Sequence, residues 1–130
     1  MDEHKVRDFA TKIGVAVEYL HDSGIAIRAL DGDGILMSEN TRSFSQRVPR
    51  ISRLSEAKVM GLGDSEFCVG IVGDVRYRAP EVVSGQTYKH KADSWSFGVI
   101  LFLLLTGKMP FHENMLEEKQ QKQQIPASGK

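Results

Sequence analysis

The sequence predicts a mainly α-helical chain with short β-strands, and three observations carry that expectation. Near the N-terminus, apolar residues recur at helical spacing: Val6, Phe9, Ile13, Ala16, Val17 and Leu20. Further on, Trp95 to Leu105 is apolar almost all round, as in a helix buried within a larger core. Between the two, the chain holds only short apolar pieces among turn residues, which is the pattern of strands and loops.

In chain order, the first helix carries its Lys and Arg on the face opposite the apolar stripe and stops at Gly24, after His21-Asp22-Ser23. Ile25 to Met37 flanks the turn-rich Asp31-Gly32-Asp33-Gly34, which predicts strand, loop, strand. Residues 38–48 are polar and predict a loop. Residues 50–58 have room for another short strand. Residues 60–76 contain Gly61, Gly63, Gly70 and Gly73 without a stable period, and predict a long surface loop. Asp93 is a candidate N-cap for a helix starting near Ser94, and Gly107 and Pro110 end that helix. The division expected is a folded unit over residues 1–112 and a polar Gln/Lys/Glu-rich tail over 113–130, solvated or disordered.

Composition narrows the function classes. Lys+Arg and Asp+Glu both number 17, so the formal net charge is zero, against the basic excess of a nucleic-acid binder. Cys68 stands alone, so no disulfide framework or thiolate metal cluster can form within the chain. The charged start MDEHKVRD has no signal-peptide core, and the longest apolar run, Val99 to Leu105, is too short to span a bilayer. The expectation is an intracellular, cytoplasmic protein without nucleic-acid or membrane partners.

Several segments in fixed order resemble the protein kinase superfamily. Tyr19-Leu20-His21-Asp22-Ser23-Gly24-Ile25 resembles the end of the helix, αE in that family, that leads into the catalytic loop. Tyr77-Arg78-Ala79-Pro80-Glu81 carries the A-P-E motif that closes the activation segment. Asp93-Ser94-Trp95-Ser96-Phe97-Gly98 resembles the start of the buried helix αF, and Thr106-Gly107-Lys108-Met109-Pro110-Phe111 the turn after it. Ala79-Pro80-Glu81 alone could be a proline turn, and Trp95 and Phe97 ordinary core; their joint order is what is specific. The resemblance covers roughly residues 5–112 and implies a partial kinase-like C-terminal lobe, running through αE, the catalytic loop, the activation segment and αF.

The same resemblance implies where chemistry would sit. Phosphoryl transfer in the family uses an Asp base, an Asn and a second Asp on Mg²⁺, a strand Lys and a Gly-rich loop. The H-R-D-L-x-x-x-N stretch falls on Ile27-Arg28-Ala29-Leu30-Asp31-Gly32-Asp33-Gly34. Arg28 and Leu30 match, Ala29 stands at the base, and Gly34 at the metal-binding Asn. D-F-G falls on Arg53-Leu54-Ser55, so Arg53 stands at the second metal ligand. Asp74 stands where a Thr often precedes Y-x-A-P-E, and Asp31 where a Lys is common. Gly61-Leu62-Gly63 is no substitute for the nucleotide-covering loop. The motif residues kept are Arg28, Ala79, Pro80, Glu81 and Asp93. Ile27 and Leu54 are expected in a hydrophobic column on αF, and Asp93 is expected to bond the catalytic-loop backbone. Losing the base or the metal ligands alone would cost several kcal/mol of transition-state stabilisation, at about 1.36 kcal/mol per tenfold in rate. The expectation is a non-enzyme, a pseudokinase-like fragment with a protein-binding or vestigial role and no cofactor or metal. Its partner would be another protein or missing kinase-lobe elements, with self-association possible. The alternative is part of a longer kinase with protein kinase activity and ATP binding.

Opposite charges at Asp31 and Arg53 are expected to approach as an ion pair across the old phosphate site. A calcium loop counted from Ala29 would use Asp31, Asp33, Gly34 and Leu36, but positions one and twelve are Ala29 and Asn40. His4, His21, His90 and His112 lack metal-ligand spacing, which favours solvated or structural roles. A short coiled coil over Glu117–Gln124 lacks apolar heptad positions, which favours a solvated face.

Overall fold

The computed structural model describes residues 1–39, 42–60 and 66–112. Helix α1 spans Glu3–Asp22, and Asp2 caps it by accepting from the Lys5 N–H at 2.9 Å. Its buried residues are Val6, Phe9, Ile13 and Val17, the stripe expected from periodicity. Strand β1 (Ile25–Ala26) follows, then a 3₁₀ turn at Gly32–Gly34, then β2 (Ile35–Met37), β3 (Pro49–Ile51) and β4 (Lys58–Val59). The short helix α2 spans Pro80–Val83, with Pro80 in its first turn where no N–H is needed. Helix α3 spans Lys91–Thr106 and ends at Gly107, whose φ of 71° is the left-handed conformation of a helix stop.

The strands form two separate antiparallel ribbons. β1 pairs with β4, Ile25 opposite Val59, and β2 pairs with β3, Ile35 opposite Ile51. The expected strand-loop-strand over Ile25–Met37 is present, and the space allowed for one further strand holds two. The described residues of the 60–76 segment, 60 and 66–76, are less superficial than expected. Cys68 is fully buried and forms an isolated antiparallel bridge with Tyr88, and Met60 and Val75 are also buried. The loop expected over 38–48 includes a 3₁₀ turn at Phe44–Gln46. The tail 113–130, with its coiled-coil candidate, and Gly61-Leu62-Gly63 lie outside the described residues, as does Asn40.

Two apolar clusters make the core. One joins Phe9, Ile13 and Val17 of α1 to Ile27, Leu30, Tyr77, and Val99 and Ile100 of α3. The other joins Ala26, Met60, Cys68, Ala79, Val82, Tyr88 and Ala92. Helix α3 departs from expectation twice. It begins at Lys91, so Asp93 lies inside its first turn rather than capping it. Nor is it buried all round: Trp95 is 37%, Phe102 43% and Leu105 51% exposed. Trp95 stacks on Phe111 at 5.7 Å, and a cavity of about 370 Å³ lined by Trp95, Val99, Phe102 and Phe111 opens along this face.

Candidate functional site

The site is built where the chain leaves β1 and passes under α3. Asp93 is only 1% exposed, and its carboxylate faces the segment that follows β1. The Ile27 N–H donates to Asp93 Oδ2 and the Arg28 N–H to Asp93 Oδ1, both at 2.8 Å. His21, at the end of α1, places Nε2 2.8 Å from Asp93 Oδ2, so its structural reading holds. One buried carboxylate thus ties α1, the loop and α3 together, and the expected bond from Asp93 to the loop backbone is present.

That clamp supports an uncommon backbone. Arg28 has φ 72°, the only positive value on a non-glycine among the described residues. A left-handed residue of this kind costs about 1–3 kcal/mol, which charge-assisted bonds to Asp93 can offset. The turn directs the guanidinium into three acceptors: Nε donates to Tyr88 Oη at 3.1 Å, Nη2 to Val69 O at 2.7 Å and Nη1 to Glu56 O at 3.3 Å. Tyr88 in turn donates to Gly70 O at 3.0 Å. Ser96 of α3 donates to Tyr77 O at 2.7 Å. Sequence reasoning missed this strapping by Arg28, Tyr88 and Ser96, because their partners are mostly backbone carbonyls far along the chain.

Ala29 is buried at 6% exposure, and a Cβ on Gly73 would come within 3.2 Å of its own. Gly73 has φ 80°, so this close approach needs a residue without a side chain. Beside it, Asp31 and Arg53 form the expected ion pair: Arg53 Nη1 donates to Asp31 Oδ2 at 3.0 Å. Asp31 Oδ1 accepts from the Gly34 N–H at 2.8 Å, which fixes the 3₁₀ turn. The Tyr77 ring reaches the same turn; burial raises its phenol above the usual range, partly opposed by a bond from the Gly32 backbone. Arg76 grips Asp74 at 2.6 Å and, chiefly by that hydrogen bond, holds its carboxyl below the ordinary value.

The structure therefore brings Ala29, Asp31, Gly34 and Arg53 into one neighbourhood, with Arg28 and Asp93 behind it. It does not put Leu54 with Ile27. Ile27 is fully buried, whereas Leu54 is 43% exposed and outside the Ile27 cluster, so the expected column is only half formed. Ala79 caps α2 from a buried position, and Glu81 lies in that helix's first turn. The calcium-loop geometry is not present: α1 ends at Asp22, well before Ala29, and a guanidinium and a backbone N–H occupy the Asp31 oxygens. As for chemistry, the methyl of Ala29 and the hydrogen of Gly34 can neither accept a proton nor bind a cation, and Arg53 presents a fixed positive charge.

Comparison with known proteins adds the family context. The protein kinase domain family matches residues 1–128. The chain is 35% identical over 115 residues to the serine/threonine-protein kinase unc-51 of Caenorhabditis elegans, covering 85% of this chain and 13% of that protein. It is 37% identical over 114 residues to a human ribosomal protein S6 kinase-related protein, covering 83% and 24% respectively. With human ribosomal protein S6 kinase alpha-1 the identity is 34% over 113 residues, covering 84% and 14%. The chain thus spans well under a third of the length of these relatives. Their names overturn the expectation of a non-enzyme, because the similarity is to enzymes that act as kinases. That expectation rested on Ala29, Gly34 and Arg53, and three side chains describe local chemistry rather than a measured rate. Among the described residues, no helix is long and apolar enough to cross a membrane.

Proposed function

Because this chain belongs to the protein kinase domain family, we propose that it is the middle of a C-terminal lobe, residues 1–112 with a polar tail, working inside a longer serine/threonine protein kinase. The observation that carries the reading is Asp93, whose carboxylate holds the backbone of the loop at Ile27 and Arg28 from within the first turn of α3. A buried charge is retained at such a site when it organises backbone that has no other partner. In this reading the chain supplies a scaffold and a protein-facing surface in an intracellular, cytoplasmic protein. The uncovered face of α3, with Trp95, Phe102 and Leu105, docks on lobe elements encoded outside these residues. Nucleotide binding and transfer to a protein hydroxyl belong to the whole protein. The side chains of Ala29, Gly34 and Arg53 supply neither a proton acceptor nor a Mg²⁺ ligand, so those groups would have to come from other residues of the longer protein.

The test is to extend the chain with the residues its transcript encodes on either side and compare the two products. The longer product should bind ATP with Mg²⁺, label serine or threonine peptides from radiolabelled ATP, and protect Trp95 from hydroxyl-radical footprinting. A transcript that encodes nothing further, or a folded longer product that binds no ATP and leaves Trp95 as accessible as before, overturns the reading.

A further inference from the structure

We propose that Ser45 is a phosphoacceptor whose phosphate is clamped between the β2–β3 connection and the first turns of α1. The connection carries a strongly one-sided charge. Between Glu39 and Glu56 there is no acid, while Arg42, Arg47, Arg50 and Arg53 are all present. Ser43 and Ser45 lie in this stretch, both exposed, with their hydroxyl oxygens 2.9 Å apart. A serine in a positive local field is one where a phosphate of charge about −1.5 to −2 is stabilised rather than repelled.

Helix α1 supplies the other half of the clamp. Lys12 Nζ donates to Ser45 O at 2.7 Å, to Arg47 O at 3.0 Å and to Asp8 Oδ2 at 2.9 Å. Lys5 Nζ stands 5.9 Å from the centre of the Phe44 ring. A recess of about 520 Å³ opens between the two elements, and its walls include His4, Lys5, Arg42, Ser43 and Ser45. Asp2 and Asp8 also line it, but both are already matched. Asp2 accepts the Lys5 N–H at 2.9 Å and pairs with its ammonium at 3.3 Å, and Asp8 holds Lys12. Phosphate oxygens make stronger charge-assisted bonds than the carbonyls Lys12 now holds. Lys5, Lys12 and Arg42 therefore turn toward a phosphate placed in the recess. Ser45 is favoured over Ser43 because Lys12 already sits on its own carbonyl.

The step is an ordinary phosphoryl transfer from ATP, catalysed by a separate protein kinase. The Ser45 Oγ forms a bond to the γ-phosphorus as the bond to the bridging oxygen breaks. ADP leaves, and the hydroxyl proton passes to that kinase's base. The consequence is a tighter latch between the connection and α1.

The test incubates the full chain with ATP, Mg²⁺ and a serine/threonine kinase that selects acceptors preceded by basic residues. Sites are mapped by tandem mass spectrometry and amide exchange is followed in both forms. Phosphate is expected on Ser45 and absent there in Ser45→Ala, with amides of 3–8 and 42–47 exchanging about tenfold slower in the modified form, as one to three new charge-assisted bonds would give. Lys5→Gln should leave the modification intact and reduce the slowing; both altered side chains are exposed, so both variants keep the fold. Absence of phosphate at Ser45, or a phosphorylated Ser45 with unchanged exchange, overturns the proposal.

Discussion

Asp93 and Arg28 divide the labour at the centre of the site. The carboxylate fixes two backbone N–H groups, and the guanidinium then reaches Glu56, Val69 and Tyr88. Replacing Asp93 with Ala leaves those N–H groups buried without an acceptor and removes the support for a left-handed Arg28. Each orphaned donor costs about 1–3 kcal/mol, so Asp93→Ala should lower stability by about 3 kcal/mol or more. Urea unfolding of the two proteins measures this, and a loss below about 1 kcal/mol would show that the loop holds itself. The Asp31–Arg53 pair has a smaller effect. Arg53 is 48% exposed, and a pair so open to solvent contributes about 0–1 kcal/mol. The positions where Arg53 and Asp31 would stand were legible in the sequence once the loops were aligned. The ion pair itself was expected from the resemblance, and it is present at 3.0 Å; the Gly34 N–H as second partner of Asp31 was not, because it depends on how the turn closes.

At the level of elements, α1 was read correctly because one stripe faces one core, and burial then follows the 3.6-residue period. Helix α3 was misread in detail because a segment apolar on every side has no period to show which face is covered. Its start was misplaced because Asp93 has the composition of a cap, yet its carboxylate is used by the loop instead. The two faces of α3 should respond differently to substitution. Ile100 is 2% exposed within the core, so Ile100→Ala should cost about 2–5 kcal/mol. Phe102 is 43% exposed, so Phe102→Ser should cost less, about 1 kcal/mol. Denaturant titration of both variants, diluted until the chain is monomeric, separates these outcomes, and equal losses there would mean that the outer face is covered within the single chain.

For the whole molecule, the outer face of α3 decides behaviour in solution. Trp95, Phe102 and Leu105 together make an apolar patch, and patches of that kind favour association. The 130-residue chain should therefore sediment as oligomers, and Phe102→Ser with Leu105→Ser should shift it toward monomer. A monomeric profile for the unmodified chain at high concentration contradicts this. By itself, the sequence determined the helix periods, the turn residues, the ordered motifs of the family and the identities of Ala29, Gly34 and Arg53, all of which are local or ordered along the chain. Tertiary structure alone decided that α3 starts at Lys91 and leaves Asp93 inside its first turn, that Arg28 straps three distant segments, and that Leu54 stays apart from Ile27. The physical reason is that these outcomes depend on which backbone groups are left without partners once the helices pack, and a linear pattern does not carry that information.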